Sequence, residues 1–192
     1  MIQTVLNQYS LNYFNMNERY VFDLDNTLIM TNQLNSISYN YALAQLGMQP
    51  IESSIRITRS IVFNNYPGLT DFQREEIIAI KQNYFKDNIN LTYLNIRLIT
   101  LLQSKETEHC ILWTSADEER VSALLRYYNL EKHFTSTVFS EKRILVDDFN
   151  KICEVFNCNS ASLLFFEDDA KIVKELKLLG QKVFVVNLPN LL

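Results

Sequence analysis

Residues 20–28 read YVFDLDNTL, and this stretch decides the fold that we predict for the chain. Its apolar start is typical of a buried strand, which then ends on Asp23 and Asp25 with Leu24 between them. Successive side chains of a strand point to opposite faces, so the two acids would share one face while Leu24 points into the core. Two neighbouring carboxylates resist joint ionisation unless a cation or a shared proton intervenes. Taken alone, the two acids would also be explained by a turn or a helix N-cap. The rest of the chain must therefore distinguish such a structural role from a functional site.

The composition is that of an ordinary globular protein. Of 192 residues, 47% are apolar, 12% aromatic and 21% charged, which allows a sizeable core. The net charge of −4 gives no general affinity for nucleic acid or acidic membranes. The first residues lack the features of a signal peptide, and no apolar run approaches the roughly 20 residues that span a bilayer. We therefore expect a cytoplasmic protein that binds neither a nucleic acid polymer nor a membrane.

The few glycines and cysteines argue against several kinds of site. The chain contains only 3 Gly, which argues against the P-loop and dinucleotide-binding fingerprints. Its 3 Cys show no CxxC spacing, and it has only 2 His, so a structural zinc site is not expected. If the protein handles phosphate, it does so with other groups.

Five short apolar runs predict strands that are buried on both faces, as in a parallel sheet. These runs are YVF at 20–22, CILW at 110–113, STVF at 136–139, LLFF at 163–166 and KVFVV at 182–186. Between the later runs, apolar residues at helical spacing predict helices at 117–129, 147–157 and 169–179. Gly180 would end the last of them. This alternation predicts an α/β fold with a Rossmann-like parallel sheet flanked by helices.

The stretch 33–104 interrupts the alternation of strands and helices. It predicts consecutive helices without a convincing strand, at about 35–47, 51–64, 71–86 and 92–104. Thr70 or Asp71 could cap the third of these helices. Because the stretch follows the two aspartates directly, it would lie over the edge of the sheet at which open α/β folds bind ligands. We therefore predict a core of residues 1–32 and 105–192, with residues 33–104 inserted after the first strand as an all-helical cap.

Polar side chains follow three of the predicted strands. They are Asp23 and Asp25 after the first strand, Thr114 and Ser115 after CILW, and Glu167, Asp168 and Asp169 after LLFF. Such an oxygen-rich set suits Mg²⁺, a hard ion that often pairs one or two carboxylates with a substrate phosphate. We therefore expect Mg²⁺ as the cofactor.

The same strand ends resemble three motifs of the haloacid dehalogenase-like (HAD) hydrolase superfamily. DLDNTL at 23–28 resembles the first motif, Asp-x-Asp-x-Thr/Val, which is highly specific. ILWTS at 111–115 resembles the second motif and LLFFEDD at 163–169 the fourth. The resemblance covers residues 20–188, and the helical insertion is similar to a C1-type cap.

The resemblance implies a phosphoric monoester hydrolase that acts on a small phosphorylated metabolite. Asp23 would be the nucleophile that forms an aspartyl-phosphate, a covalent route open to carboxylates. Asp25 would protonate the leaving alkoxide and would then act as the base that activates water. Thr114 would donate its hydroxyl to a phosphate oxygen, and the amide of Ser115 could add a contact.

The resemblance also implies the metal ligands. Mg²⁺ would be held by an Asp23 oxygen, the backbone carbonyl of Asp25 and Asp168, with Asp169 bound directly or through water. The ion would offset the repulsion between Asp23 and the phosphate.

The third motif of the family is a lysine, and here the chain departs from the common form. Many relatives carry Lys-Pro, whereas this chain has SEKRILVDDF at 140–149. We expect Lys142 to bind the phosphate, because it follows the strand STVF at the expected place. An ungapped count of residues back from the fourth motif places the third-motif cation nearer Arg143. Lys151 is a more distant alternative for the same cation. Lysine and arginine are not interchangeable in hydrogen-bond geometry, so the choice matters.

Several charged residues receive no catalytic role from the sequence. We interpret the run DEER at 117–120 as acids at a helix N-terminus, and Glu167 as a variant at a position where glycine is frequent. One cation of the cap could reach the substrate, but the sequence does not select among them. These cations are Arg56, Arg59, Lys81, Lys86 and Arg97.

Other functions are less consistent with the residues. A phosphomutase of the same family would use the same aspartyl-phosphate, whereas dehalogenation would not need Asp25. A response-receiver signalling module combines similar groups, but its acid pair precedes a separate nucleophilic aspartate and it has no helical insertion. A catalytically silent relative that only binds phosphate would not need to retain Asp23, Asp25 and Asp168.

Overall fold

A five-stranded parallel sheet forms the centre of the protein, whose computed structural model describes residues 18–53 and 56–186. The strands are β1 (Arg19–Phe22), β2 (Ile29–Met30), β3 (Tyr93–Leu94), β4 (Cys110–Thr114), β5 (Ser136–Phe139), β6 (Leu163–Glu167) and β7 (Lys182–Val185). The central sheet has the order β5-β4-β1-β6-β7, and all its neighbouring strands are parallel. All five predicted strands are present, and the predicted α/β fold class is confirmed.

Helices cover both faces of this sheet. The helices are α1 (Asn32–Gln45), α2 (Arg59–Asn65), α3 (Asp71–Asp87), α4 (Ile96–Gln103), α5 (Glu118–Tyr127), α6 (Leu145–Phe156) and α7 (Ala170–Leu178). Alternate residues of β1 point to opposite faces, as the pleat of a strand requires. Phe22 packs in a cluster with buried residues of α4 and α5, whereas Val21 packs in a second cluster with those of α6 and α7. The predicted ending of α7 is also found, because Gly180 has a φ of +74° and accommodates the left-handed turn.

Helices α1, α2 and α3 share a hydrophobic cluster of their own. Its buried members include Leu43 of α1, Val62 of α2 and Ile77 of α3. The third predicted helix agrees with α3, and Thr70 rather than Asp71 is its N-cap, in a capping box with Gln73. This cluster makes the inserted helices a layer with their own packing.

Two of the predicted helices in the insertion were wrong in part. The helix predicted at 51–64 begins only at Arg59, because the Thr58 side chain caps it by accepting from the backbone N–H of Ile61. Before it, the backbone N–H of Ile51 donates to the Asn40 side chain instead of to a helical carbonyl. Residues 54–55 of that prediction lie outside the described residues, as do the N-terminal residues predicted to lack a signal peptide.

The prediction that the insertion contains no strand was also wrong. Strand β3 occupies the start of the helix predicted at 92–104 and pairs with β2 in an antiparallel two-stranded ribbon. We call the two segments that connect the central sheet with the inserted helices the crossings. Strand β2 lies in the first crossing, after β1, and β3 lies in the second, before β4, so the ribbon joins the two crossings. Helix α4 follows it and buries Leu98 and Leu102 in the cluster that contains Phe22.

No helix within residues 18–53 and 56–186 is both long and apolar enough to cross a membrane.

Candidate active site

The candidate site lies where β1, β4 and β6 end at the carboxyl edge of the sheet. Strand β1 is central, and the chain proceeds to β4 on one side and to β6 on the other, which makes this edge a topological switch point. A cavity of about 130 Å³ opens here. Its lining consists of Asp23, Asp25, Arg56, Ser115, Glu141, Lys142, Glu167, Asp168, Asp169 and Ile172.

A tight turn after β1 carries the two aspartates. The backbone N–H groups of Leu28 and Ile29 both donate to the carbonyl of Leu24, whose side chain is fully buried. Asn26 has a φ of +61°, a left-handed conformation that asparagine adopts more readily than most residues. The Asn26 side chain accepts from the backbone N–H of Thr31 at 3.2 Å, which closes the turn. The turn therefore fixes both aspartates although the strand itself ends at Phe22.

Lys142 joins the first aspartate to a third acid. Its Nζ lies 2.7 Å from Asp23 Oδ1 and 2.7 Å from Glu167 Oε2, and all three side chains are buried. Burial lowers the pKa of Lys142, but Asp23 and Glu167 outweigh this effect and raise it overall. Burial raises the pKa of Asp23 to about 8, although Lys142 acts in the opposite direction. Asp23 is thus a desolvated carboxyl that needs further positive charge to ionise fully.

The loop after β5 positions Lys142 through a hydrogen-bonded chain. Lys142 has a φ of +54°, and its backbone N–H donates to Ser140 Oγ at 2.9 Å. The Ser140 hydroxyl donates to Asp148 Oδ2 at 2.6 Å, and this oxygen also accepts from Trp113 Nε1 at 3.2 Å. The Lys142 ammonium lies 4.2 Å from the centre of a Trp113 ring. Of the three predicted alternatives, Lys142 reaches Asp23, whereas Arg143 is exposed and pairs with Glu141.

The second aspartate is surrounded by different groups. Asp25 Oδ1 accepts from the Thr31 hydroxyl at 2.5 Å, and Asp25 Oδ2 pairs with the guanidinium of Arg120. Arg56 Nη2 lies 3.9 Å from the same Oδ2 atom. Burial raises the pKa of Asp25, but Arg120, Arg56 and the Thr31 hydroxyl together hold it below its usual value. Fixed cations thus favour the ionised form of Asp25, whereas burial and neighbouring acids disfavour ionisation of Asp23.

Three acids lie close enough together to bind one metal ion. One carboxylate oxygen each of Asp23, Glu167 and Asp168 lies within 4.8 Å of the other two. Burial and the neighbouring carboxylate of Glu167 raise the pKa of Asp168 to about 7. Three carboxylates face one ammonium in this part of the site. Such a set of hard oxygen donors with excess negative charge fits a divalent cation such as Mg²⁺.

The remaining predicted residues lie at the edge of this group. Asp169 lines the cavity, and its Oδ1 caps α7 by accepting from the backbone N–H groups of Lys171 and Ile172. Ser115 also lines the cavity, whereas Thr114 is buried and its hydroxyl oxygen accepts from the Ala116 N–H.

Sequence reasoning gave two residues of the site no specific role. Glu167 was interpreted as a variant of a glycine position, yet it pairs with Lys142 and also accepts from the backbone N–H groups of Asp168 and Asp169. Arg120 was interpreted only as part of the run DEER at a helix N-terminus, yet it pairs with Asp25. Its position four residues before Leu124 places it beside the apolar stripe of α5, which was the available signal.

The chain thus combines a parallel α/β sheet with buried acids at the switch point of that sheet. The model of the haloacid dehalogenase-like hydrolase family matches residues 20–186. The chain therefore belongs to the haloacid dehalogenase-like hydrolases, and the family predicted from the motifs is confirmed.

Solved structures with the same fold are similar to this chain over most of their length. A predicted phosphoglycolate phosphatase from Haemophilus somnus 129PT has 16% identity and a TM-score of 0.75, covering 90% of this chain and 88% of that one. A proposed phosphoglycolate phosphatase from Lactobacillus plantarum has 14% identity and a TM-score of 0.72, covering 88% and 86%. A HAD-superfamily hydrolase of subfamily IA from Geobacter sulfurreducens PCA has 14% identity and a TM-score of 0.65, covering 90% and 89%. No curated protein sequence matches the chain.

Proposed function

We propose that this protein is a Mg²⁺-dependent phosphatase that hydrolyses a small phosphorylated metabolite through an aspartyl-phosphate on Asp23. The observation that carries the proposal is the pair of buried aspartates on one turn, with Asp23 beside Lys142, Glu167 and Asp168, and Asp25 beside Arg120. The family supports hydrolysis. The phosphoglycolate phosphatases among the similar structures support a small phosphorylated substrate.

The residues of this chain divide the reaction into two steps. In the first step, an Asp23 oxygen attacks phosphorus, the bond from phosphorus to the ester oxygen breaks, and Asp25 gives its proton to the leaving oxygen. In the second step, Asp25 takes a proton from water as the water attacks phosphorus, which releases inorganic phosphate and restores Asp23. Lys142 holds Asp23 in place and neutralises charge on the phosphoryl group.

The charge state of Asp25 is suited to these two roles. Arg120 and Arg56 favour the ionised form, which the second step requires. A phosphate dianion beside Asp25 has the opposite effect, because a neighbouring negative charge raises the pKa of a carboxyl. Substrate binding therefore favours the protonated acid that the first step requires.

Asp23, Glu167 and Asp168 are the side chains that would hold Mg²⁺, with the Asp25 carbonyl and Asp169 as further candidate ligands. The bound ion would supply positive charge that offsets the repulsion between Asp23 and the phosphate. We further propose that residues 33–104 act as a cap, since Arg56 of this segment lines the cavity.

The experiment that tests this function is hydrolysis of p-nitrophenyl phosphate. We expect turnover with Mg²⁺ and none with EDTA, and we expect Asp23→Asn to abolish it because the nucleophile is lost. The matched control is Asp71→Asn, which changes an exposed aspartate at the start of α3 and should retain full activity.

Turnover that persists in Asp23→Asn would contradict the proposed intermediate. If no variant turns over, binding of beryllofluoride with Mg²⁺ tests the same carboxylate without hydrolysis. Failure of Asp23 to bind this phosphoryl mimic would then overturn the proposal.

A further inference from the structure

Two cysteines lie together at the C-terminal end of α6, the end away from the loop that carries Lys142. Cys153 belongs to the last turn of the helix, and Cys158 follows it in the connection to β6. Both are half-buried free thiols that pack against the hydrophobic cluster containing Val21. The third cysteine, Cys110, is fully buried in β4. The pair at the end of α6 is therefore separate from the candidate active site.

The backbone at this helix end brings the two cysteines together. The Cys158 N–H donates to the Cys153 carbonyl at 3.1 Å, and the Asn157 N–H donates to the Glu154 carbonyl at 3.2 Å. Asn157 has a φ of +48°, so the two bonds end the helix in a Schellman motif. This motif is often accompanied by an apolar contact between the positions that Cys153 and Cys158 occupy. In this chain the contact is made by two thiols, which lie close enough to share a hydrogen bond.

A cation without a hydrogen-bond acceptor lies near the second thiol. Arg19, at the start of β1, stacks over Phe156 with its guanidinium carbon 5.9 Å from the ring centre. Its Nε–H is buried and has no acceptor within residues 18–53 and 56–186. Burial raises the pKa of Cys158 to about 11, whereas the charge of Arg19 acts in the opposite direction. Arg19 thus supplies positive charge that stabilises a thiolate at Cys158 when it forms.

We propose that Cys153 and Cys158 are a modification site, at which a low-molecular-weight disulfide such as oxidised glutathione converts the pair to an intramolecular disulfide. The Cys158 thiolate attacks one sulfur of the oxidant, and one glutathione thiolate leaves. The Cys153 thiolate then attacks the Cys158 sulfur, and the second glutathione thiolate leaves. Two protein thiols are thereby oxidised, one glutathione disulfide is reduced, and the two protons pass to the released thiolates.

The geometry of the turn favours the second of these steps. It is intramolecular, and the Schellman motif already holds the two sulfurs near each other, so little backbone movement is needed. The new bond would tie the last turn of α6 to the segment that leads to β6, and it would constrain the unfolded chain. The inference is independent of the proposed function, because neither Cys153 nor Cys158 is among the residues that line the cavity beside Asp23.

The test follows the thiols and the melting temperature of the full chain. Reduced protein is incubated with oxidised glutathione at about pH 8.5, where buried thiols ionise more readily than at neutral pH. Acid quenching, alkylation of the remaining thiols under denaturing conditions and peptide mapping then identify the linkage. We expect a disulfide between Cys153 and Cys158, a mass lower by two hydrogen atoms, and an alkylated Cys110. The Tm should rise by about 5 °C and return to its first value on reduction with dithiothreitol.

Variants assign the effect to the pair. Cys153→Ser and Cys158→Ser should each abolish the linkage and the rise in Tm, measured against the reduced form of the same variant. Cys110→Ala is the matched control, because Cys110 packs in the cluster on the other face of the sheet and should leave both unchanged.

Three results would overturn the inference. One is folded protein that keeps all its thiols free although the unfolded chain reacts under the same conditions. Another is a glutathione that stays attached to Cys153 or Cys158, which would show that the second thiol cannot reach the first. The third is a linkage that lowers Tm, which would show that the turn must distort to form it.

Discussion

At the scale of single residues, two aspartates of one turn have opposite surroundings. Asp23 meets Lys142 together with further acids, whereas Asp25 meets the guanidinium of Arg120 and the hydroxyl of Thr31. The Asp25–Arg120 pair is almost fully removed from water, so each member needs the other as a counter-ion. Removing one partner of a buried pair leaves an uncompensated charge, which costs far more than the pair contributes.

We expect Arg120→Gln to lower the free energy of unfolding by about 3–5 kcal/mol, because Asp25 then remains buried without its closest cation. Chemical denaturation measures this change. Arg126→Gln on the same helix is the matched control, since the Arg126 side chain is 74% exposed and pairs with Glu131 at the surface. That change should cost under about 1 kcal/mol. Similar losses in both variants would contradict the importance assigned to burial.

The sequence identified those site residues whose role can be read from the residues next to them in the chain. Asp23 and Asp25 belong to one short motif, and Lys142 follows a strand end, so neighbouring residues identified them. Glu167 and Arg120 have roles that depend on partners 25 and 95 positions away in the chain. Nothing local distinguishes Glu167 from a solvated acid, and the place of Arg120 beside the apolar stripe of α5 does not identify its partner. Only the packing of β6 and α5 against the turn brings the partners together.

At the scale of elements, the loop between β5 and α6 is held by a buried acid of the helix. Asp148 accepts hydrogen bonds from Ser140 and Trp113, and Ser140 in turn accepts from the backbone N–H of Lys142. The left-handed backbone of Lys142 is therefore maintained by α6 and β4 together.

We expect Asp148→Ala to lower stability by about 1–3 kcal/mol, because the buried donors of Trp113 and Ser140 lose their acceptor. It should also reduce turnover of p-nitrophenyl phosphate, since the loop that positions Lys142 loses its anchor. Denaturation and steady-state kinetics measure the two effects. Asp147→Ala changes the preceding, exposed aspartate and should leave both quantities nearly unchanged. An Asp148→Ala variant with unaltered turnover would show that the loop is held by other contacts.

Elements were predicted well where apolar spacing was regular and less well inside the insertion. The parallel strands are continuous apolar runs, and α5, α6 and α7 have clear apolar stripes, so their pattern is unambiguous. The segment before α2 contains similar residue types, but the side chains of Asn40 and Ser36 accept the backbone N–H groups of Ile51 and Ile57 and compete with the helix. Strand β3 has only two residues, which is too short for any periodicity.

At the scale of the whole molecule, the acidic half of the site links folding to pH. Burial raises the pKa of Asp23 to about 8 and that of Asp168 to about 7, well above the values in an unfolded chain. The folded protein without metal therefore holds these protons more tightly than the unfolded chain does. Its stability therefore falls as pH rises from about 4, where the carboxyls of an unfolded chain ionise, to about 8, because over this span the unfolded chain releases protons that the folded protein keeps.

A divalent cation reverses this trend, since it binds the ionised carboxylates in competition with protons. We expect the rise in Tm caused by Mg²⁺, relative to EDTA, to be larger at about pH 8.5 than at about pH 6. The difference should reach about 3 °C, which corresponds to roughly 1 kcal/mol in a chain of this size. Thermal unfolding measures it. Asp168→Asn should remove most of the difference, and a shift that is independent of pH in the unaltered protein would contradict the metal assignment.

The ribbon of β2 and β3 limits how the inserted helices can move relative to the sheet. Two crossings joined by a single flexible strand would permit rotation about any axis, but here Ile29 pairs with Leu94 and Met30 with Tyr93. Twisting one crossing without the other would break the backbone hydrogen bonds of this pairing. The two crossings would therefore turn together, and a movement of the inserted helices would carry Arg56, which lines the cavity, with them.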